Sequence, residues 1–270
     1  MLKAATSGYS KENLVGKIGK LEIYMGTLRD GTEVRIEVYR EKTSSEEYKK
    51  FVEECRVLVQ LRHTNLVQIL GWCAHRGFRA LITEWRGGET IDMWLSSSSP
   101  PWKKRLKVLK GVLQGMLNLQ EQWPEVGFDV NTNNVLLAED GEPLITKFRV
   151  GEGNSNGTNI YKFGVFLFEM VTSKQTKGFK RGKVGFVEWV RSHYHENIWI
   201  VIDDRLKKAG VTYEEAKHGI RLGLMCTDPS TEQHFSLFQM PEMINLVSSS
   251  SNKRKLHGER TEHRKTPARS

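Results

Sequence analysis

The sequence predicts an α+β fold in two parts, a small, mostly β first lobe with one main helix and a larger helical lobe after it. Three observations carry this. Alternation of period two is concentrated in the first third of the chain, where Leu21–Gly26 and Thr32–Tyr39 flank Asp30-Gly31, a strong hairpin-turn signal. Ser44 followed by Glu47 is a capping box, and Tyr48, Phe51, Cys55 and Leu58 then recur at helical spacing. From Trp102 onward the apolar period is helical, and Ile160–Val171 is apolar nearly all round, which suits a helix at the centre of a helical lobe.

Each element follows in order. Residues 1–12 read as a polar leader. In the second strand Val34, Ile36 and Val38 share one face while Arg35 and Glu37 share the other. Leu66–Leu70 and Arg79–Trp85 read as further strands, Arg86-Gly87-Gly88 as a hinge, and Thr90–Leu95 as a short helix. Ser96–Pro101 is a loop closed by Trp102, where a long helix begins with Leu106, Leu109, Leu113, Met116 and Leu119 as its buried stripe. In Glu125–Val150, Asp129 and Asn134 stand five apart before the apolar run Val135–Leu137. A short strand at Pro143–Thr146 then leads into Lys147-Phe148-Arg149. Gly151–Thr158 reads as a loop, and Phe186–Arg191, Thr212–Cys226 and Met240–Val247 as helices.

Composition bounds the class. The 270 residues are 38% hydrophobic and 27% charged, as in a globular protein with a substantial core. No apolar run reaches the roughly 18 residues a membrane helix needs, and no signal-peptide pattern opens the chain, so a cytoplasmic location is expected. Cys55, Cys73 and Cys226 lie far apart and read as reduced thiols rather than a disulfide or metal framework. His193 and His195, two apart, do not share a helix face for metal, and the seven tryptophans are scattered as packing residues. The net charge of +9 is uneven: residues 248–270 hold seven basic residues against two acidic ones. That stretch reads as a disordered basic tail, with Lys253-Arg254-Lys255 as a nuclear-import or anionic-surface patch for the alternative. Nucleic-acid binding by the folded part is not expected.

Several blocks occur in one order: Tyr9–Gly16, Leu61–Val67 (LRHTNLV), Leu70–Cys73 (LGWC), Asn134–Leu137 (NVLL), Tyr161–Val165 (YKFGV), Phe186–Val190 (FVEWV) and Cys226–Pro229 (CTDP). From about Tyr9 to Val247 the chain resembles the kinase domain of plant receptor-like serine/threonine kinases. The resemblance implies a bilobal protein-kinase-like fold, with residues 13–86 as first lobe, 87–247 as second, and Thr83, Glu84, Trp85 and Arg86 at the hinge. The family's catalytic-loop pattern HRDLxxxxN reads here Gly127-Phe128-Asp129-Val130 through Asn134, and its metal-binding DFG reads Lys147-Phe148-Arg149.

Carried over position by position, the resemblance implies a damaged nucleotide site. Gly16 keeps the first glycine of the phosphate-covering loop, but the next two glycine positions are Ile18 and Leu21, and Gly19 is out of register. The phosphate-binding lysine is replaced by Glu37, and the alanine that packs on adenine by Arg35. Glu54 keeps the helix glutamate but lacks its lysine. The metal-binding aspartate is Lys147, while Asp129 and Asn134 keep the base and second metal-ligand positions. Lys20, beside Leu21, is the nearest substitute cation and points to the opposite strand face. The substrate side differs too: no APE-like motif lies between Phe148 and Asn159, the arginine that would pair with it is His234, and the aspartate bracing the catalytic loop is Asn159. Either a consistent rearrangement or a shortened gene model accounts for that segment.

The expected molecule is a pseudokinase with ATP and Mg²⁺ binding weak or absent, an interaction module that binds an active receptor-like kinase or an immune receptor. The alternative is an atypical kinase using Asp129, and a third class is a basic nucleic-acid or membrane-surface binder. Lys147 is expected to pair with Glu37 or Glu54 across the cleft; in the competing picture all three splay into solvent. Leu58, Ile69 and Phe148 fit the family's interlobe hydrophobic spine, whose base is Gly127, so looser coupling and rapid amide exchange are expected around Val126–Asp129.

Overall fold

A computed structural model of the chain describes residues 2–75, 77–151, 155–179, 185–230 and 236–249. The basic tail beyond Ser249 and His234 lie outside the described residues.

The first lobe is a five-stranded antiparallel sheet of order β1-β2-β3-β5-β4. Its strands are β1 Leu14–Ile18, β2 Leu21–Thr27, β3 Glu33–Tyr39, β4 Ile69–His75 and β5 Phe78–Glu84. The Asp30-Gly31 turn joins β2 to β3 as its residues dictate: Gly31 takes φ +87° and the Asp30 carboxylate accepts the Thr32 amide at 3.0 Å. Val34, Ile36 and Val38 are fully buried on one sheet face. Packed against β4, α2 (Ser45–Leu58) starts on the predicted capping box, with both reciprocal Ser44–Glu47 bonds made.

Two expectations about this lobe need correction. Residues 2–13 are not a free polar leader. Leu2–Ala5 forms α1, Lys11–Asn13 a 3₁₀ turn, and Tyr9 packs against Tyr24 and Phe78 with centroids 5.3 and 6.1 Å apart. The face carrying Tyr24, Val34 and Ile36 needs an apolar cover, and Leu2, Ala5 and Tyr9 supply it. Gly26 permits the approach, since a Cβ there would stand 2.5 Å from the Ala5 carbonyl oxygen. The strand expected at Leu66–Leu70 begins instead at Ile69 and runs to His75. Asn65 and Val67 are taken by the second lobe, through Val67 N to Ile145 O (3.0 Å) and Ile145 N to Asn65 O (2.9 Å). A long-range ladder there overrides local propensity.

The second lobe contains α3 Ile91–Ser97, α4 Trp102–Gln122, α5 Asn156–Thr172, α6 Phe186–Glu196, α7 Asp204–Lys208, α8 Tyr213–Cys226 and α9 Met240–Ser249. Short strands β6 Glu89–Thr90, β8 Val135–Leu137 and β9 Pro143–Ile145 form one sheet, and β7 Val126–Phe128 pairs with β10 Phe148–Val150. The predicted stripe of α4 is buried throughout. The loop expected to reach Thr158 stops at Ser155, whose hydroxyl accepts the Thr158 amide and starts α5 four residues early. α5 is the central helix, with Phe163, Phe166 and Phe168 fully buried. It touches α8 so closely that a Cβ on Gly223 would lie 2.4 Å from the Phe168 ring. Fully buried Arg105 ties α4 to the end of α5 and the start of α7, donating to Pro100 O, Met170 O, Ser173 Oγ and the Asp203 carboxylate.

Candidate functional site: the interlobe cleft

Between the α2-facing side of the sheet, α2, β8 and the start of β10 lies a cavity of about 380 Å³. Leu58, Ile69, Leu81, Leu136 and Phe148 are among its apolar walls, and Arg35, Glu37, Glu54, Arg79 and Lys147 bring charge to it. The hinge residues Thr83, Glu84 and Trp85 line it as well.

Arg35 and Glu37 are two apart on β3, so both project to this face. Glu37 is buried, and a single oxygen, Oε1, takes Arg35 Nη1 at 2.5 Å and Lys147 Nζ at 3.1 Å. Lys147 reaches it from the turn between β9 and β10, so the pair joins the two lobes. Burial by itself pushes the Glu37 carboxyl up; the two cations outweigh it and hold the group below the usual carboxylate range. Glu54 has its ion pair on its own helix, with Lys50 at 3.9 Å, and Lys147 does not choose it. Lys20, the candidate substitute cation, bonds Glu41 at 2.7 Å and is not among the cavity's lining residues.

The phosphate-loop positions form a closed hairpin. Ile18 pairs directly with Leu21, Gly19 turns at φ +58°, and Ile18 is largely exposed. At the hinge, Glu84 N donates to Gln68 O and Trp85 N to Glu33 O, each at 2.9 Å. Arg86 grips the Asp140 carboxylate, and its carbonyl accepts the Glu139 amide. Gly87 and Gly88 both have positive φ, and a Cβ on Gly88 would collide with the Leu137 carbonyl. The Asp140 contact has no local sequence signal, because it joins residues 54 apart.

Asp129 and Asn134 are bonded to each other, Asn134 Nδ2 donating to Asp129 Oδ2 at 2.7 Å. Thr146 Oγ1 donates to Asn134 O, and Asp129 N to Lys147 O, so the two loops share one network. Beneath it Glu169 accepts the Thr132 amide. Asn159, at the bracing position, is buried and donates to Gln120 Oε1 at 3.0 Å. Lys162, one turn further along α5, donates to Phe128 O at 2.7 Å. Sequence reasoning missed this lysine; its place three residues after Asn159, on the same helix face, was the available signal.

The looseness expected at Gly127 does not fit the contacts found. All three residues of β7 are buried and register against β10, Phe128 opposite Phe148 and Val126 opposite Val150. Lys162 Nζ, bonded to Phe128 O, also lies 5.5 Å from the Phe128 ring centroid.

At the positions matched to the metal-binding carboxylate and the phosphate-binding lysine stand an ammonium, Lys147, and a carboxylate, Glu37, paired with each other at 3.1 Å. Among the described residues no group of three or more His, Cys, Asp and Glu side chains is placed to hold a metal ion.

A five-stranded sheet with one crossing helix over a helical lobe, joined by a hinge beside a cleft, is the fold of a protein kinase domain. A family model described as protein tyrosine and serine/threonine kinase matches residues 11–152, just over half of the chain, and the chain belongs to that family. The L-type lectin-domain containing receptor kinase IV.2 of Arabidopsis thaliana is 28% identical over 278 residues, covering 89% of this chain and 41% of the relative. The receptor-like serine/threonine-protein kinase SD1-7 of the same plant is 28% identical over 273 residues, covering 86% and 32%. The L-type lectin-domain containing receptor kinase SIT1 of Oryza sativa subsp. japonica is 26% identical over 283 residues, covering 89% and 41%. The chain thus spans well under half the length of these relatives. Among solved structures, the pseudokinase domain of BIR2, an immune regulator of the RLK/Pelle family, superposes with a TM-score of 0.71 at 22% identity, over 93% of this chain and 84% of that one. At that identity the likeness concerns fold. No helix among the described residues is long and apolar enough to cross a membrane.

Proposed function

We propose that this kinase-family domain is a pseudokinase, a catalytically inactive module that works by protein–protein contact in receptor-kinase signalling. The observation that carries the reading is the Lys147–Glu37–Arg35 cluster. Charges of reversed sign stand at the two positions that would hold phosphate and metal, and they satisfy one another, tying the lobes together without nucleotide. A carboxylate beside a phosphate repels it by roughly 4 kcal/mol at ~4 Å and intermediate dielectric. Arg35 also occupies wall space where an adenine would pack. The partner expected is an active receptor-like kinase or an immune receptor, which the kinase-family relatives and the fold shared with an immune-regulatory pseudokinase support.

The test is a thermal-shift titration with ATP, with and without Mg²⁺, alongside a phosphate-incorporation assay. A ligand at about 100 times its dissociation constant adds ~2.7 kcal/mol of stability. No shift and no incorporation are expected; a shift of that size with incorporation overturns the reading. One observation favours an atypical kinase instead: Asp129 is exposed and held by Asn134, as a catalytic base position would be. Replacing Asp129 with asparagine decides it, because incorporation that survives the change does not come from this site.

A further inference from the structure

On the sheet face away from α2, a second cavity of about 620 Å³ opens where α1 and Tyr9 lie against the ends of β3, β4 and β5. It is independent of the cleft and of the proposed function. Tyr9, Phe78 and His75 bring rings to its lining, His75 stacked on Phe78 at 4.9 Å and 12°. Cys73, half-buried, lines it too.

The charge of this cavity is one-sided. Lys3 and Arg40 line it and no carboxylate does. The Arg40 guanidinium is held 4.7 Å above the Tyr9 ring and 5.7 Å from that of Phe78, so its position is set before any ligand arrives. Its Nε donates to Glu22 at 3.0 Å, and with the Tyr24 hydroxyl also beside it the five-donor fork keeps donors to spare. Lys3 makes no ion pair among the described residues. An apolar, ring-lined hollow of a few hundred Å³ with a small number of fixed polar groups is the usual form of a small-molecule site.

We propose that this cavity binds a small planar aromatic anion, its ring against the accessible Trp72 and His75 side chains and its carboxylate or sulfonate on Arg40 and Lys3. The chain's own basic tail has the wrong sign to be the occupant. Aromatic cations meet the same repulsion, and neutral aromatics forgo the charge-assisted bonds.

The experiment is isothermal titration of the full chain at low salt with 2-naphthoate, and with the neutral isostere 2-naphthamide. Saturable binding tighter than about 1 mM is expected for the anion, with the amide at least about tenfold weaker, as loss of a charge-assisted hydrogen bond implies. Arg40→Gln should weaken the anion by a similar factor, and saturating 2-naphthoate should slow alkylation of Cys73 by iodoacetamide. Absence of saturable binding, equal affinity for acid and amide, or unchanged Cys73 alkylation overturns the proposal. Should Arg40→Gln fail to fold, the acid–amide comparison on the unaltered chain decides alone.

Discussion

Replacing Glu37 with glutamine removes the acid that Arg35 and Lys147 share in the cleft, and the structure sets how much this costs relative to removing a cation. At 3.1 Å the Lys147 pair is worth about 5 kcal/mol at an effective dielectric near 20, before desolvation and screening are counted. Lys147 is 43% exposed, so water screens most of that; Glu37 and Arg35 side chains are only 9% and 22% exposed, so their pair is screened far less. Lys147→Met should therefore cost under ~1 kcal/mol. Glu37→Gln leaves Arg35 and Lys147 converging on a neutral amide and should cost about 2–3 kcal/mol, below the usual figure for a broken buried pair because Lys147 can turn toward solvent. At about 2–4 °C per kcal/mol in a chain of this size, the variants separate clearly in Tm. Urea unfolding of both single variants and the double variant at low salt measures the two costs and their coupling. Lys147→Met costing as much as Glu37→Gln, or both costing nothing, refutes the shared-oxygen account. The sign with pH follows. The Glu37 carboxyl is held below its ordinary value, so its contribution is complete above the unfolded carboxylate range, near 4.3, and is lost as pH falls below that. The glutamine variant should lack that part of the acid slope.

Three other outcomes are expected. Asp203, which burial would raise, is held down to about 2 by hydrogen bonds from Ser173, Arg105 and Arg205; the stability it confers is complete above its ordinary 3.8 and lost as pH falls toward 2. Asp203→Asn should cost about 2–4 kcal/mol by leaving buried Arg105 without its counter-charge, and should flatten the acid-unfolding curve in that window. Burial pushes the Cys55 and Cys226 thiols up to about 12, so thiol labelling at mild alkaline pH should mark half-buried Cys73 first, as peptide mass mapping would read. Amide exchange over Val126–Asp129 should be slow, like the middle of α4, and should quicken in Lys162→Ala; fast exchange in the unaltered chain would restore the looser cleft floor expected from Gly127.

Most of the fold could be read from local pattern. Period-two alternation, the Asp30-Gly31 turn, the Ser44–Glu47 box and the α4 stripe each reflect interactions within a few residues, and each occurs where expected. That an acid stands at position 37 and a base at position 147 was equally legible, since side-chain type is a property of sequence. What the sequence left open was partner choice. Lys147 had two carboxylates within reach by analogy, and only the packed fold brings it to Glu37 while Glu54 stays with Lys50. The same holds for Lys162 on Phe128 O, Arg86 on Asp140 and Val67 on Ile145, contacts between residues 34 to 78 apart in the chain. The cover that residues 2–9 place on the sheet was hidden for a similar reason. Leu2, Ala5 and Tyr9 are too few and too irregularly spaced to give a periodic signal, while the need they meet belongs to an apolar face built from β2, β3 and β5. Local propensity and residue identity are fixed along the chain; which groups share a low-dielectric space is fixed only when distant segments close on each other.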